Sequence, residues 1–211
     1  MKSILFDLDG TLTDSGEGIM NCAQLALDHY GIHVENRDDL RVFVGPPLQK
    51  TFLEFGVPAE EVDHAIEIYR SRYIPIGKYE NTPYPGIREL LEKLNADGHK
   101  LYVATSKPET TAVEILEHFD LAKYFHIICG ASFAHDRHSK ALVIAYLLEQ
   151  TGSGLDAIMV GDTAFDVIGA KEHGIPTIGV SWGYGEVTDM VQAGAASIAH
   201  DMDELYHFLT T

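Results

Sequence analysis

The sequence predicts an α/β fold, a doubly wound parallel sheet with helices on both faces and an all-helical insertion near the N-terminus. Three observations predict it. From residue 81 onward, short apolar runs alternate with longer amphipathic stretches. The short runs are almost wholly apolar rather than alternating, as in strands buried on both faces. Residues 15–80 break that rhythm, with helical spacing and no convincing strand.

Taken in order, "SILF" (3–6) is the first strand. The insertion follows. "GEGIMNCAQLALDHYG" sets Ile19, Ala23, Leu27 and Tyr30 on one helical face, and "AEEVDHAIEIYRSRYI" does the same with Val62, Ile66 and Tyr69. Between them "DLRVFVGPPLQKTFLEFG" reads as short helices joined by a Gly-Pro-Pro elbow. "KYENTPYPG" is the return hinge. "KLYVATS" (100–106), "HIIC" (126–129), "AIMVGD" (157–162) and "TIGVSW" (177–182) are the remaining strands. "PGIRELLEKLNADG", "PETTAVEILEHF", "HSKALVIAYLLEQTG" and "TAFDVIGAKEHG" are the helices between, with Pro85 and Pro108 near starts and Gly98, Gly152 and Gly174 near ends. "DMDELYHFL" closes the chain as a helix. The expected division is therefore a core of residues 1–14 and 81–211 and a cap of residues 15–80.

Length and charge narrow the function. At 211 residues the chain holds a full core plus an insertion. Fifteen Lys and Arg against 32 Asp and Glu give a net charge of −17, which repels nucleic-acid polymers and anionic membrane surfaces. No apolar run approaches bilayer length and the N-terminus lacks a signal-peptide pattern, so a cytoplasmic location is the default expectation. Two distant cysteines, Cys22 and Cys129, suggest neither a disulfide framework nor a zinc site. Both read as small buried residues. "HDRH" (135–138) has two histidines but no third ligand, and reads as solvated loop.

Chemistry gathers at strand ends. In an open parallel sheet, ligands bind beyond the carboxyl ends of the strands. There the sequence places Asp7 and Asp9 after "SILF", Thr105 and Ser106 after "LYVA", Asp162 after "AIMVG", and Lys140 opening the helix after "HIIC". Alternation sets Asp7 and Asp9 on one side and turns Leu8 into the core. Asp166 brings a fourth acid one helical turn after Asp162. Converging carboxylates repel unless a cation holds them, and an all-oxygen set without His or Cys favours Mg²⁺. The metal in turn welcomes a phosphate oxygen, while Lys140, Thr105 and Ser106 supply donors for the rest of a phosphoryl group.

"DLDGT", "VATS", a lysine and "VGDTAFD", in that order, resemble the phosphatase branch of the haloacid dehalogenase superfamily, along essentially the whole chain. The resemblance implies a Rossmann-like core with a small helical cap. It implies Asp7 as nucleophile and Asp9 as general acid–base, with Thr105, Ser106 and Lys140 binding the phosphoryl group. Asp7, the backbone carbonyl of Asp9, and Asp162 correspond to its Mg²⁺ ligands, with Asp166 behind them. Thr13 departs slightly from the pattern. Dehalogenating relatives lack an acid at the position of Asp9 and need no metal, which sets dehalogenation aside. The "VFVGPPL" elbow and "SWGYG" further resemble the 5′-nucleotidase-like branch near the phosphoglycolate phosphatases, although both strings also serve as turns.

These readings lead to a Mg²⁺-dependent phosphomonoesterase for a small phosphorylated metabolite, a nucleoside 5′-monophosphate or phosphoglycolate-like compound. The chain is expected to act as a monomer or weak homodimer. A phosphomutase and a non-enzymatic protein with a relic site are the alternatives. Arg41 is the candidate cap cation for the substrate, with an ordinary surface residue as its other reading. Phe52, Phe55, Tyr69 and Tyr73 are assigned to the cap core.

Overall fold

A computed structural model of the chain describes residues 1–132, 137–152 and 156–211. It divides into two compact units, residues 1–13 with 83–211, and residues 14–82. The chain crosses between them at two extended stretches, Thr13–Asp14 and Thr82–Pro83.

The larger unit is built on a parallel six-stranded sheet. Its strands are β1 (Ser3–Phe6), β2 (Lys100–Pro108), β3 (Ile127–Ala131), β4 (Ala157–Gly161), β5 (Thr177–Val180) and β6 (Ser197–Ala199). They lie in the order β3-β2-β1-β4-β5-β6. The doubly wound fold read from the sequence is thus observed. The sequence reading lacked β6, three residues too short to show a period, and the helix before it.

Helices cover both faces because successive residues of each strand point to opposite sides. Ile4 and Phe6 of β1 join Leu101 and Val103 of β2 in one core cluster, under α4 (Ile87–Ala96), α5 (Glu109–His118) and α9 (Met202–Thr210). Leu5, Tyr102 and Ala104 face the other way, into a second cluster with α6 (Lys140–Thr151) and α7 (Ala164–Lys171). A further helix, α8 (Val187–Ala193), buries Met190. Burying both faces leaves the strand ends as the place where polar side chains reach solvent.

The smaller unit is helical: α1 (Gly16–His29), α2 (Leu48–Glu54), α3 (Val62–Tyr73) and 3₁₀ turns, including Arg37–Phe43. Ile19, Ala23 and Leu27 of α1 are buried, as are Val62, Ile66 and Tyr69 of α3. Phe43 packs against both Phe52 and the half-buried Phe55, and Phe52 against Tyr69, which stacks on Tyr73. Arg72 grips Glu80 with both guanidinium arms at 2.6 and 2.8 Å. Among the described residues, no helix is long and apolar enough to cross a membrane.

Candidate active site

The site lies where the winding reverses. The chain adds β2 and β3 on one side of β1, then β4, β5 and β6 on the other, opening a crevice between the carboxyl ends of β1 and β4. Phe6 is in register with Val160, and the Asp7 N–H donates to the Val160 carbonyl at 2.9 Å. Asp7 therefore leaves β1 beside Gly161, one residue before Asp162.

Asp7, Asp162 and Asp166 are all buried, and each offers an oxygen within 4.8 Å of the others. Lys140 answers them from the first residue of α6. Its Nζ lies 2.8 Å from Asp7 Oδ1, 2.7 Å from Asp166 Oδ1 and 2.9 Å from the Ala104 carbonyl. The contact with the Ala104 carbonyl is a hydrogen bond, whereas Asp166 Oδ1 meets the ammonium as an ion pair without hydrogen-bond geometry. Asp7 Oδ1 also accepts the Leu8 N–H at 2.7 Å. Leu8 itself is fully buried in the core, as the alternation requires.

The loop "SWGYG" wraps Asp162. The Tyr184 N–H donates to its Oδ2 at 2.8 Å, and the Thr11 hydroxyl to its Oδ1 at 3.1 Å. Trp182 Nε1 donates to the Thr11 carbonyl at 3.2 Å, tying this loop to the one after β1. A Cβ at Gly10 or Gly183 would run into the Asp162 carboxylate, and Gly10 has φ +81°, a region L side chains rarely adopt. Both glycines are thus explained by the carboxylate they enclose. Asp166 is more fully used by the protein. Its Oδ2 accepts the Thr163 N–H at 3.0 Å and hydroxyl at 2.8 Å, closing the first turn of α7, while Oδ1 faces Lys140.

Three buried carboxylates against one ammonium leave an excess of two negative charges, which equals the charge of one divalent cation. The electrostatics show that excess. Burial raises Asp7 to about 6, with Lys140 opposing and Asp166 adding. Burial, then Asp166 and Asp7, raise Asp162 to about 8 despite the donors on it. Burial works against the Lys140 ammonium, but Asp166 and Asp7 outweigh it and push its pKa above the usual lysine range. An all-oxygen donor set of this charge, with Asp7, Asp162 and Asp166 close enough to share one ion, fits a hard divalent cation.

A stability measurement checks this without reference to activity. Asp7 and Asp162 hold protons in the folded chain above their ordinary value of 3.8. The folded state therefore binds more protons than the unfolded state from there up to about 8, and stability falls as pH rises through that window. Lys140 stabilises fully below the ordinary lysine range and so adds no slope there. We expect the metal-free thermal midpoint to be several degrees lower at about pH 8 than at about pH 5. A millimolar divalent cation should raise it more at the higher pH. Equal midpoints, or no response to cation, would show the protein neutralising the cluster unaided.

Of the other residues singled out in the sequence, Thr105 is buried on β2 and Ser106 is exposed beside it. Asp9 is partly buried and its carboxylate faces Lys107, which the sequence reading passed over. Its signal was available: Lys107 lies two residues beyond Thr105, on the same side of an extending strand. Thr11 and the Tyr184 N–H were passed over as well. Arg41 is an exposed residue of the 3₁₀ turn in the helical unit. His135 and Asp136 of "HDRH" lie outside the described residues. Arg137 pairs with Glu109 at 3.4 Å and covers the ring of Tyr146.

Residues 4–180 match the model of the haloacid dehalogenase-like hydrolases. The chain is 41% identical over 190 residues to a 5′-nucleotidase of Pseudomonas aeruginosa, covering 89% of this chain and 86% of that protein. It is also 41% identical over 205 residues to the tyrosine-protein kinase PtkA of Mycobacterium tuberculosis, covering 96% of this chain and 70% of that one. A crystal structure of a predicted phosphatase from Clostridium acetobutylicum superposes with a TM-score of 0.92 at 42% identity, over 99% of this chain and 97% of that chain.

Proposed function

This chain belongs to the haloacid dehalogenase-like hydrolase family, and we propose that it is a Mg²⁺-dependent phosphomonoesterase acting on a small phosphorylated metabolite through an aspartyl phosphate. One observation carries the reading. Two carboxylates at the end of one strand face two different lysines, Asp7 with Lys140 and Asp9 with Lys107, beside an acidic cluster two charges short of neutrality. That separates a nucleophile from an acid–base while leaving room for a divalent cation.

The residues divide the work. Lys140 and the Leu8 N–H hold Asp7 Oδ1, and Oδ2 is the oxygen we assign to attack phosphorus. As the new P–O bond forms, the bond to the leaving oxygen breaks and Asp9 supplies that oxygen's proton. Asp9, now a carboxylate, takes a proton from the water that attacks the phosphorus. The Asp7 carboxylate leaves and inorganic phosphate is formed. Thr105, Ser106 and Lys140 are the phosphoryl donors, with Lys140 held beside Asp7 and Asp166. Asp7, Asp162 and the Asp9 carbonyl would hold Mg²⁺, which when bound neutralises charge on the phosphoryl oxygens. Asp166 holds Lys140 and the start of α7.

The name of the mycobacterial relative bears on where the phosphoryl group goes, because the same aspartyl phosphate can be passed to an acceptor other than water. One experiment settles both points. Initial rates of phosphate release are measured with Mg²⁺ for nucleoside 5′-monophosphates, phosphoglycolate, sugar phosphates and phosphotyrosine, with and without excess chelator. A parallel reaction offers ATP and a tyrosine peptide. We expect Mg²⁺-dependent phosphate release and no peptide labelling; labelling without release would make the chain a transferase. In the same panel Arg41→Ala is expected to lower kcat/KM for the best substrate ~10-fold or more, and for p-nitrophenyl phosphate little. Equal losses would mean that Arg41 does not touch the leaving group.

A further inference from the structure

Lys107 is a second buried lysine of the sheet unit, and the phosphatase mechanism above gives it no step. Its Nζ lies 2.9 Å from Asp9 Oδ1 and 2.6 Å from Oδ2, taking both oxygens at once, with its side chain only 5% exposed. The backbone beneath is fixed from two directions. The Lys107 N–H donates to Thr105 Oγ1 at 3.2 Å. Behind it the chain presses on Gly130, where a Cβ would meet the Lys107 carbonyl and the Glu109 backbone. Glu109 in turn accepts the Gly130 N–H at 3.2 Å. The ammonium is thus delivered to one place by a braced strand end.

Such a pair is a poor stabilising device. Desolvating an ammonium and a carboxylate costs several kcal/mol, and apolar replacements of similar volume are often as stable. Position gives it a reason. Asp9 follows Asp7 by two residues, and its carboxylate would otherwise be a fourth acid free to turn toward Asp7 and Asp162. We propose that Lys107 is the positioning residue of the acid–base: it keeps the Asp9 carboxylate out of the acidic cluster and in one orientation, and it releases one of the two oxygens when that oxygen carries the proton to be transferred. This rests on the phosphatase reading, with Asp9 as its acid–base. It differs from a phosphoryl-binding role, in which Lys107 would matter to every substrate and whether or not Asp9 is intact.

The test uses the whole chain with Mg²⁺, comparing an alkyl phosphate with p-nitrophenyl phosphate, whose leaving group departs without a proton. Lys107→Met is expected to lower kcat for the alkyl phosphate ~100-fold, within the span of general acid–base catalysis. The first-turnover release of nitrophenolate should fall less than ~3-fold, and Lys107→Arg should recover part of the alkyl activity. In an Asp9→Asn background, Lys107→Met should cost no more than ~2-fold further, because the two residues act as one unit. Equal losses on both substrates, or a full further loss in the Asp9→Asn background, would overturn the proposal. Should Lys107→Met not fold, Lys107→Gln and Lys107→Arg carry the same comparison. No phosphate release by the unmutated chain from any substrate would instead overturn the phosphatase reading itself.

Discussion

Asp7→Asn is expected to lose at least ~10⁴-fold in phosphate release on every substrate, with no phosphorylated protein detectable by mass spectrometry. The amide is isosteric and its oxygen can still accept from Lys140, so the site keeps its shape while losing its nucleophile. Stability separates this from unfolding. Burial raises Asp7 to about 6, so near neutral pH the metal-free folded state pays to keep this carboxylate ionised. Removing the charge should leave the metal-free thermal midpoint unchanged or higher. A variant that loses activity together with several degrees of midpoint would say that Asp7 is structural. Retained phosphoenzyme would move the nucleophile elsewhere.

Asp9→Asn should behave differently on both counts. It spares the nucleophile and the Asp9 carbonyl but removes the proton donor and the later base. An alkyl phosphate, whose leaving oxygen needs a proton, should lose ~10²- to 10⁴-fold. p-Nitrophenyl phosphate should give a burst of about one nitrophenolate per enzyme, then slow turnover with phosphate held on Asp7. A linear time course without a burst, in a variant that still binds Mg²⁺, would show the acid–base misassigned. The variant also strands Lys107, whose side chain is 5% exposed, without its carboxylate. Breaking a buried pair from one side is costly, so we expect roughly 3 kcal/mol of lost stability. Asp7→Asn thus abolishes chemistry at little structural cost, whereas Asp9→Asn slows chemistry and loosens the fold.

The contrast shows what a linear reading could reach. Apolar runs, helical spacing and the polar residues at the ends of "SILF", "LYVA" and "AIMVG" follow local periods of two and 3.6 residues, which are visible in any short window. They were enough for a parallel sheet wound in both directions, for the helical character of residues 15–80, and for Asp7, Asp9, Asp162 and Lys140 as candidates at the strand ends. Strand β6 escaped because three residues cannot display a period.

What the local pattern could not determine was which charge meets which. Lys107 and Asp9 are 98 residues apart, and Thr11 and Asp162 are 151 apart. Those meetings depend on the strand order that places β2 and β4 on either side of β1. The sequence marks both lysines as cations but not that Lys140 sits against Asp7, Asp166 and a carbonyl while Lys107 takes Asp9. Nor does it show that Gly10 and Gly183 are small because a carboxylate fills the space beside them. Residue type and period are properties of neighbours along the chain and determined the fold and the inventory of acids. Pairing is a property of neighbours in space, where burial makes each unpaired charge expensive, and only the tertiary structure decided it.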